Sequence, residues 1–451
     1  MERRRVVVIG SGFGGLFTTK GLAKAPVEIT VISKTVSHLF QPLLYQAATG
    51  ILSTGEIAPA TRDILRKQEN ATVLLGEVTG IDLANRVVIG EKLGQAITLP
   101  YDYLVVAAGA GQSYFGNDHF EIFAPGMKTV DDALELRARI FGALEVAELV
   151  EDEEERRRLM TFIVVGAGPT GVEMAGQIAE LTRKFLVRSF RRIDTRQARV
   201  ILMDAAPVVL PPFGGKLSEF AKQRLEKIGV EVKLGAMVTQ VDNDGVEVKT
   251  ADGNVERIRA SCKVWAAGVQ ASPLGKLLTA DGQAQLDRAG RVEVLPDLTL
   301  PGHPEVSVLG DMMSLDKLPG VAQVAIQGGK YTAKRIAGEV TGNPLTEPFK
   351  YFDKGSMAVI SQFGAVTRVG KLELTGFIAW AMWLGVHLLY LVGFKHRIST
   401  LLKWTITFLG RSRSERVTTE QQLVGRLARK QLGQDFRPTI SGLEDPDRLQ
   451  S

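Results

Sequence analysis

The sequence predicts an α/β protein with two Rossmann-like dinucleotide-binding domains and a C-terminal region of membrane-anchoring helices. Three observations predict it. A strand, a Gly-x-Gly-x-x-Gly loop and a helix occur in that order twice, once from Arg5 and once from Phe162. Each unit is answered further on by an apolar strand ending in Ala-Ala-Gly, at Gly109 and at Gly268. A late apolar run, Val306 to Leu309, ends in Gly310-Asp311 and so delivers a carboxylate at the end of a buried strand, where open α/β sheets bind ligands. One such loop is common; the repeated set implies two dinucleotides, one held and one exchanged.

The first unit opens with the β-branched run Arg5 to Ile9, then Gly10-Ser11-Gly12-Phe13-Gly14-Gly15, then a helical segment from Leu16 to Ala23. Gly10 suits the tight turn, Gly12 lets the backbone approach a pyrophosphate, and Gly15 lets helix pack on strand. The helix N-terminus then faces the phosphates. The next strand, Glu28 to Ile32, would ordinarily end in an acid that binds the ribose; Ser33-Lys34 stands there, and a serine hydroxyl binds a ribose more weakly than a carboxylate. His38 to Tyr45 is an apolar loop containing Gln41 and Pro42, which reads either as the wall of a flat ring site or as a buried loop. Ala71 to Leu75 reads as a strand ending by Val78, where the backbone is placed to read an adenine edge. A hairpin is expected at Arg86–Ile89 and Ala96–Leu99, and Tyr103 to Ala108 is a buried strand ending in Gly109-Ala110-Gly111. Helical segments run from Val130 into the solvated charged stretch Glu151 to Arg158.

The second unit repeats the plan: strand Phe162 to Val165, loop Gly166-Ala167-Gly168-Pro169-Thr170-Gly171, helix Val172 to Leu181. Its next strand, Arg199 to Met203, ends at Asp204, which accepts hydrogen bonds from a ribose and repels a 2′-phosphate, favouring NAD over NADP. Asp204 lies thirty-three residues after Gly171. The usual interval is about 20, and Arg183 to Gln197 reads as an extended helix and loop that lengthens it. Strands follow at Val230–Leu234 and Gly245–Thr250. Beyond Asp311, Ala322-Gln323-Val324-Ala325-Ile326-Gln327 begins a helix whose two amides share a face, with small alanines that let a flat group lie near the backbone.

Gly376 to Phe394 has nineteen residues without formal charge, past the ~18 that marks a candidate span. Ile398, Leu401, Leu402, Thr405, Ile406 and Leu409 then share a helical face, with Lys403 and Trp404 off it and Arg411, Arg413 and Arg416 closing the stretch. An apolar helix followed by a basic amphipathic one fits a protein lying on an anionic leaflet; a single span and a buried dimer core are the alternatives. Thr418 to Ser451 is polar and reads as a loose end.

Composition narrows the chemistry. The single cysteine, Cys262, leaves neither a disulfide framework nor a redox dithiol, and five scattered histidines offer no metal site. The net charge is +5, and Lys395 to Arg416 alone holds six Lys or Arg against one Glu, so the remainder is neutral and no nucleic-acid surface is indicated. Glu2-Arg3-Arg4-Arg5 runs straight into a strand and does not resemble a signal peptide. The inventory holds no nucleophilic triad.

From Val6 to about Arg413 the chain resembles the two-dinucleotide-binding flavoproteins, and within them the type II NADH dehydrogenases of actinobacterial kind. The matching residues are the first Gly loop, His-Leu-Phe-Gln-Pro at 38–42, Gly-Pro-Thr-Gly-Val-Glu at 168–173, Gly310-Asp311, Ala-Gln-x-Ala-x-Gln at 322–327 and Phe-Asp-Lys-Gly-Ser-Met at 352–357. The resemblance implies that the first loop holds FAD and the second NADH, that Asp311 meets the ribityl or phosphate region, and that Ala322, Gln323 and Gln327 lie between flavin and quinone. It implies a discontinuous FAD domain (1–125 and 295–345), an NADH domain (126–294), and a C-terminal region (346–451) with a small strand layer, Gly355 to Leu374, and anchoring helices over about 376–413. Glu173 is either a favourable acid in a helix's first turn or a group facing the nicotinamide–flavin contact. Lys354 is either a surface ion-pair partner or a group near the flavin or quinone head.

The expected function is therefore transfer of a hydride from NADH to FAD and of two electrons to a membrane quinone, without proton pumping. The expected place is the cytoplasmic side of the inner membrane, bound peripherally to the lipid surface as a homodimer. The rivals are an NADH-dependent reductase of a protein acceptor and a non-catalytic NADH-sensing membrane protein.

Overall fold

The computed structural model describes residues 3–92, 94–410 and 413–431. The helices that position the site are α1 (Phe13–Gly21), α2 (Val130–Leu149), α3 (Pro169–Glu180), α4 (Ala322–Val340), α5 (Gly376–Tyr390), α6 (Phe394–Gly410) and α7 (Glu420–Gln431).

The first sheet has six strands in the order Thr299–Leu300, His303–Val308, Tyr103–Val106, Arg4–Ile9, Val27–Ser33, Ala71–Leu75. Every neighbouring pair is parallel except the first. Val6, Val7, Val8 and Ile9 are all buried: this strand is covered on both faces, so its sequence is an unbroken apolar run rather than an alternating one. Helix α1 returns along the sheet and lies directly on α4, where a side chain at Gly21 would come within 2.5 Å of the Ala333 methyl. The second sheet has four parallel strands in the order Val230–Leu234, Arg199–Asp204, Thr161–Val165, Cys262–Trp265. The two units are joined where Ala110–Gln112 pairs antiparallel with Val269–Ala271, each strand continuing from one of the Ala-Ala-Gly ends. The expected hairpin forms within the three-stranded sheet of Glu77–Asp82, Val87–Lys92 and Gln95–Pro100, and the expected strand layer forms from Ser356–Ser361, Gly364–Val369 and Leu372–Thr375.

The expected strand Ala71–Leu75 forms and leaves the parallel sheet at Gly76, and Val78 follows in Glu77–Asp82, where it pairs with Gly90. Three expectations are corrected. The uncharged stretch from Gly376 is not one helix to Phe394. Helix α5 ends at Tyr390 after 15 residues, the chain turns through Gly393 at φ +93°, and Arg397 donates to the Leu389 and Leu391 carbonyls. Fifteen helical residues span about 22 Å, short of a ~30 Å hydrocarbon core, and among the described residues no helix is long and apolar enough to cross a membrane. Arg413 does not close a lipid-facing basic stretch: it is buried, donates to Gln177 Oε1 at 2.9 Å and stacks over Phe185. The tail is not loose where it is described: Arg426 of α7 donates to Asp132 and Glu135 of α2 at 2.6 and 2.7 Å and also to Glu121. Arg411 and residues 432–451 lie outside the described residues.

Candidate active site

Register brings the first unit's loops together. Ile9, Val106 and Val308 are level across three adjacent parallel strands, so Gly10, Gly109 and Gly310-Asp311 emerge at one edge. Gly10 takes φ +104°, with the Ala107 carbonyl oxygen 2.3 Å from where a Cβ would stand. Over Gly12 and Gly109 there is open space instead, a cradle that fits a phosphate chain approaching bare backbone at the N-terminus of α1. Ser33 is held beside this loop by Ser11, hydroxyl to hydroxyl at 3.1 Å, whereas Lys34 turns outward to Glu77 at 2.6 Å. Gln41 opens a short 3₁₀ turn, Gln41–Leu43, and is half-buried. Asp311 sits under α4, with its carboxyl pushed above the usual carboxylate range by burial, against which the Lys128 and Arg291 charges act. Ala322 and Gln323 form the first turn of α4 and are half-buried.

The second unit shows the same construction. Val165 is level with Met203 and with Trp265, so Gly166, Asp204 and Gly268 share one edge. Gly166 has φ +107°, and Gly168 faces open space. The Asp204 carboxylate accepts from the Ala167 and Ala206 backbone amides at 2.5 and 2.7 Å, so it braces the loop as well as closing the strand. Gln112 of the first unit donates to the Ala267 and Gly268 carbonyls at 2.5 and 2.6 Å and ties the two edges together. Helix α3 begins at Pro169, so Glu173 lies one turn in rather than in the first turn; it is buried, with the Val359 amide 3.5 Å from Oε1. Burial pushes its carboxyl up to about 8. A proton-bearing acid is no charge partner for a helix dipole, which removes the solvated helix-end reading.

The two amides of α4 have different employment. Gln327 donates to the Phe352 carbonyl at 2.9 Å and accepts from its amide at 3.0 Å, so its side chain holds the 352–355 loop. Gln323 meets the Tyr390 hydroxyl, and its Oε1 is buried without a hydrogen-bond partner among the described residues. Lys354 donates to that same hydroxyl at 2.7 Å and holds the phenol below its ordinary value of 10. Gln323, Lys354 and Tyr390 thus form one polar cluster where α4, the 352–355 loop and the end of α5 meet.

The family described as pyridine nucleotide-disulphide oxidoreductase matches residues 4–329. The chain is 60% identical over 435 residues to the type II NADH:quinone oxidoreductase Ndh of Mycobacterium tuberculosis, covering 96% of this chain and 94% of that one. It is 56% identical over 453 residues to NdhA of the same organism, covering 99% and 96%. The chain belongs to the type II NADH:quinone oxidoreductases. In fold it matches the NDH2 of Plasmodium falciparum solved in complex with NADH, with a TM-score of 0.82 at 20% identity over 90% of this chain and 98% of that one.

Unlike the disulphide enzymes that name the wider family, this type II oxidoreductase carries its one cysteine, Cys262, buried in a strand with its thiol pushed up to about 11. Two site residues escaped sequence reasoning. Tyr390 lay in a stretch that reads as plain membrane anchor. His38 opened the loop read as a possible wall of a flat ring site, but had no role of its own there: it is buried, its Nδ1 is 2.9 Å from the Ser11 carbonyl, and its Nε2 has no partner among the described residues. Burial holds the imidazole below 6.5, so it is neutral, donates from Nδ1 and presents the Nε2 lone pair beside the first loop.

Proposed function

We propose that this chain takes a hydride from NADH onto FAD and passes two electrons to a membrane quinone, without pumping protons. The observation that carries it is the alignment of two Gly loops at the edges of two parallel sheets, with the Gln323–Lys354–Tyr390 cluster next to an exposed apolar face. FAD belongs to the first unit (1–125 and 295–345) and NADH to the second (126–294), with 346–451 as the membrane region. When bound, FAD supplies a two-electron carrier between nicotinamide and quinone. Gly10, Ser11, Gly12, Phe13, Gly14, Gly15, Ser33 and Asp311 hold it, while Gly166, Gly168, Gly171 and Asp204 hold NADH. Glu173, on the helix that receives NADH, keeps a proton at neutral pH. At the acceptor end Lys354 and Tyr390 present N–H and O–H donors for a quinone oxygen, and Gln323 orients them.

The apolar face is made by Phe377, Leu389, Phe394, Leu402, Ile406 and Leu409, all exposed. The opposite face of α6 is anchored inward, where Trp404 donates to Gln46 at 2.7 Å and Ser399 to Glu56 at 2.6 Å. This arrangement suits a protein lying peripherally on a leaflet, on the cytoplasmic side and as a homodimer; a soluble protein acceptor would need no such face.

Stopped-flow tests the acceptor assignment. Gln323→Ala is expected to slow reoxidation of the reduced flavin by a short-chain quinone about tenfold, a loss of about 1.4 kcal/mol in the range of one buried hydrogen bond, and to leave flavin reduction by NADH unchanged. Equal losses in both half-reactions would move the quinone away from α4. In steady state, Asp204→Ala is expected to lower kcat/KM for NADH about tenfold while that for NADPH holds or rises, since the like-charge penalty on a 2′-phosphate is gone. An unchanged preference would take Asp204 out of the ribose site.

A further inference from the structure

The lengthened interval between the second Gly loop and Asp204 is not used by the reaction. From Arg183 to Arg199 it holds seven Lys or Arg and a single acid, Asp194. It begins as a wider π-type turn, Leu181–Phe185, that continues α3. At 1.5 Å per residue this places it roughly 25 Å from the Gly loop, at the far end of the helix from the nucleotide phosphates.

What it adjoins is the apolar face. Phe185 lies under the Arg413 guanidinium, 4.3 Å from the ring centre, and Arg416 donates to Ser189 at 3.1 Å, so the segment is fastened to the chain leaving α6. Lys184 donates to Gln362, and Gln362 donates to the Phe408 carbonyl of α6 at 3.2 Å. From the other side Arg224 donates to Ser361 at 2.8 Å and to the Gln362 carbonyl at 3.1 Å. The next residue, Phe363, is 48% exposed and packs with Phe377 and Trp380, and Trp380 packs on Phe408. Lys184 and Arg224 therefore border the Phe363 end of the apolar face, where a leaflet's headgroups would lie, and the rest of the cationic segment continues from Lys184. Arg188 and Arg191 are exposed and their guanidinium groups have no partner among the described residues; the Glu148 carboxylate of α2 accepts from the Arg191, Arg192 and Ile193 amides and faces the Arg192 charge, and Arg192 also reaches the exposed Glu151 at 3.7 Å. An exposed arginine alone is ordinary; several fixed beside one apolar face make a surface complementary to anionic lipid.

We infer that Arg183–Arg192, with Arg224, forms a headgroup-binding rim that seats the nicotinamide-binding half of the protein on anionic lipid. The inference rests on the membrane reading proposed above and adds a second attachment to it, separate from the C-terminal helices. The attraction is electrostatic, so it fades as salt shortens the screening length.

The test is co-sedimentation of the full-length, FAD-loaded protein with vesicles of phosphatidylcholine alone or of phosphatidylcholine with phosphatidylglycerol. The wild type is expected to bind the anionic vesicles more tightly. Arg188→Gln with Arg191→Gln is expected to weaken that binding about thirtyfold, roughly fivefold per charge, and to leave binding to phosphatidylcholine unchanged. Arg188→Lys with Arg191→Lys is expected to restore it. Ile406→Ser with Leu409→Ser is expected to weaken binding to both vesicles. The rim is overturned if the glutamine pair binds anionic vesicles like the wild type, or if the wild type does not distinguish the two vesicles. Binding of the wild type to neither overturns the membrane reading and the rim together.

Discussion

Gly15→Ala is expected to yield a colourless protein, and Gly171→Ala a yellow one that scarcely responds to NADH. In the first loop a Cβ at Gly15 would stand 1.9 Å from the Gly10 carbonyl oxygen; in the second, a Cβ at Gly171 would stand 1.7 Å from the Gly166 carbonyl oxygen. Neither obstacle is a flexible side chain. Both are the backbone of the turn that faces the phosphates, so the helix N-terminus must lift from its strand and the phosphate cradle opens. Overpacking of this kind costs about 1–3 kcal/mol, and 2.7 kcal/mol corresponds to about a hundredfold in affinity. The flavin-to-protein absorbance ratio reports the first loop, and the NADH concentration dependence of flavin reduction reports the second. Because the two variants make the same error in different loops, they also assign the nucleotides: a yellow Gly15→Ala protein with impaired NADH binding would reverse the assignment of FAD and NADH.

Glu173→Gln is expected to stabilise the protein, and to do so only at the alkaline end. In the unfolded chain this carboxyl ionises near 4.5; folded, it keeps its proton up to about 8. Between those values the folded state binds the extra proton, so stability falls as pH rises through the window and levels off above it. At about 1.4 kcal/mol per unit the whole fall is on the order of 5 kcal/mol. Glutamine carries no ionisation and escapes it. The variant should melt with the wild type at pH 4.5 and about 5 °C above it at pH 8.5, given the unfolding entropy of a chain this long. Parallel melting temperatures at both pH values would mean that the folded protein ionises Glu173 normally, and would end its role as a held proton.

The nucleotide-binding framework was legible because its determinants are local. A strand covered on both faces must be apolar at every position, and a helix packed on a turn must have glycine where the two cross, so Val6–Ile9 with Gly10 and Gly15, and Phe162–Val165 with Gly166 and Gly171, declare themselves by spacing alone. Asp204 and Asp311 were legible for the same reason: each stands at the end of a recognisable strand. The amphipathic face of α6 was equally plain from its helical period, with Trp404 and Lys403 correctly off it.

Other features depended on segments far away in the chain. Gln323 and Gln327 are indistinguishable by sequence, yet the Phe352 backbone, 25 residues on, takes up one amide and leaves the other facing Tyr390. Glu173 is an ordinary helix acid by sequence until the strand carrying Val359, 186 residues later, closes over it. Arg413 reads as one more surface cation, but α3 supplies Gln177 and the turn beyond it Phe185, and the guanidinium is buried between them. The sequence by itself determined two dinucleotide loops, their carboxylates and an apolar C-terminal face, because periodicity and backbone sterics act within a few residues. Only the tertiary structure decided which polar side chains remain available for chemistry, because desolvation and hydrogen-bond partnership are set by whichever distant segment packs against them.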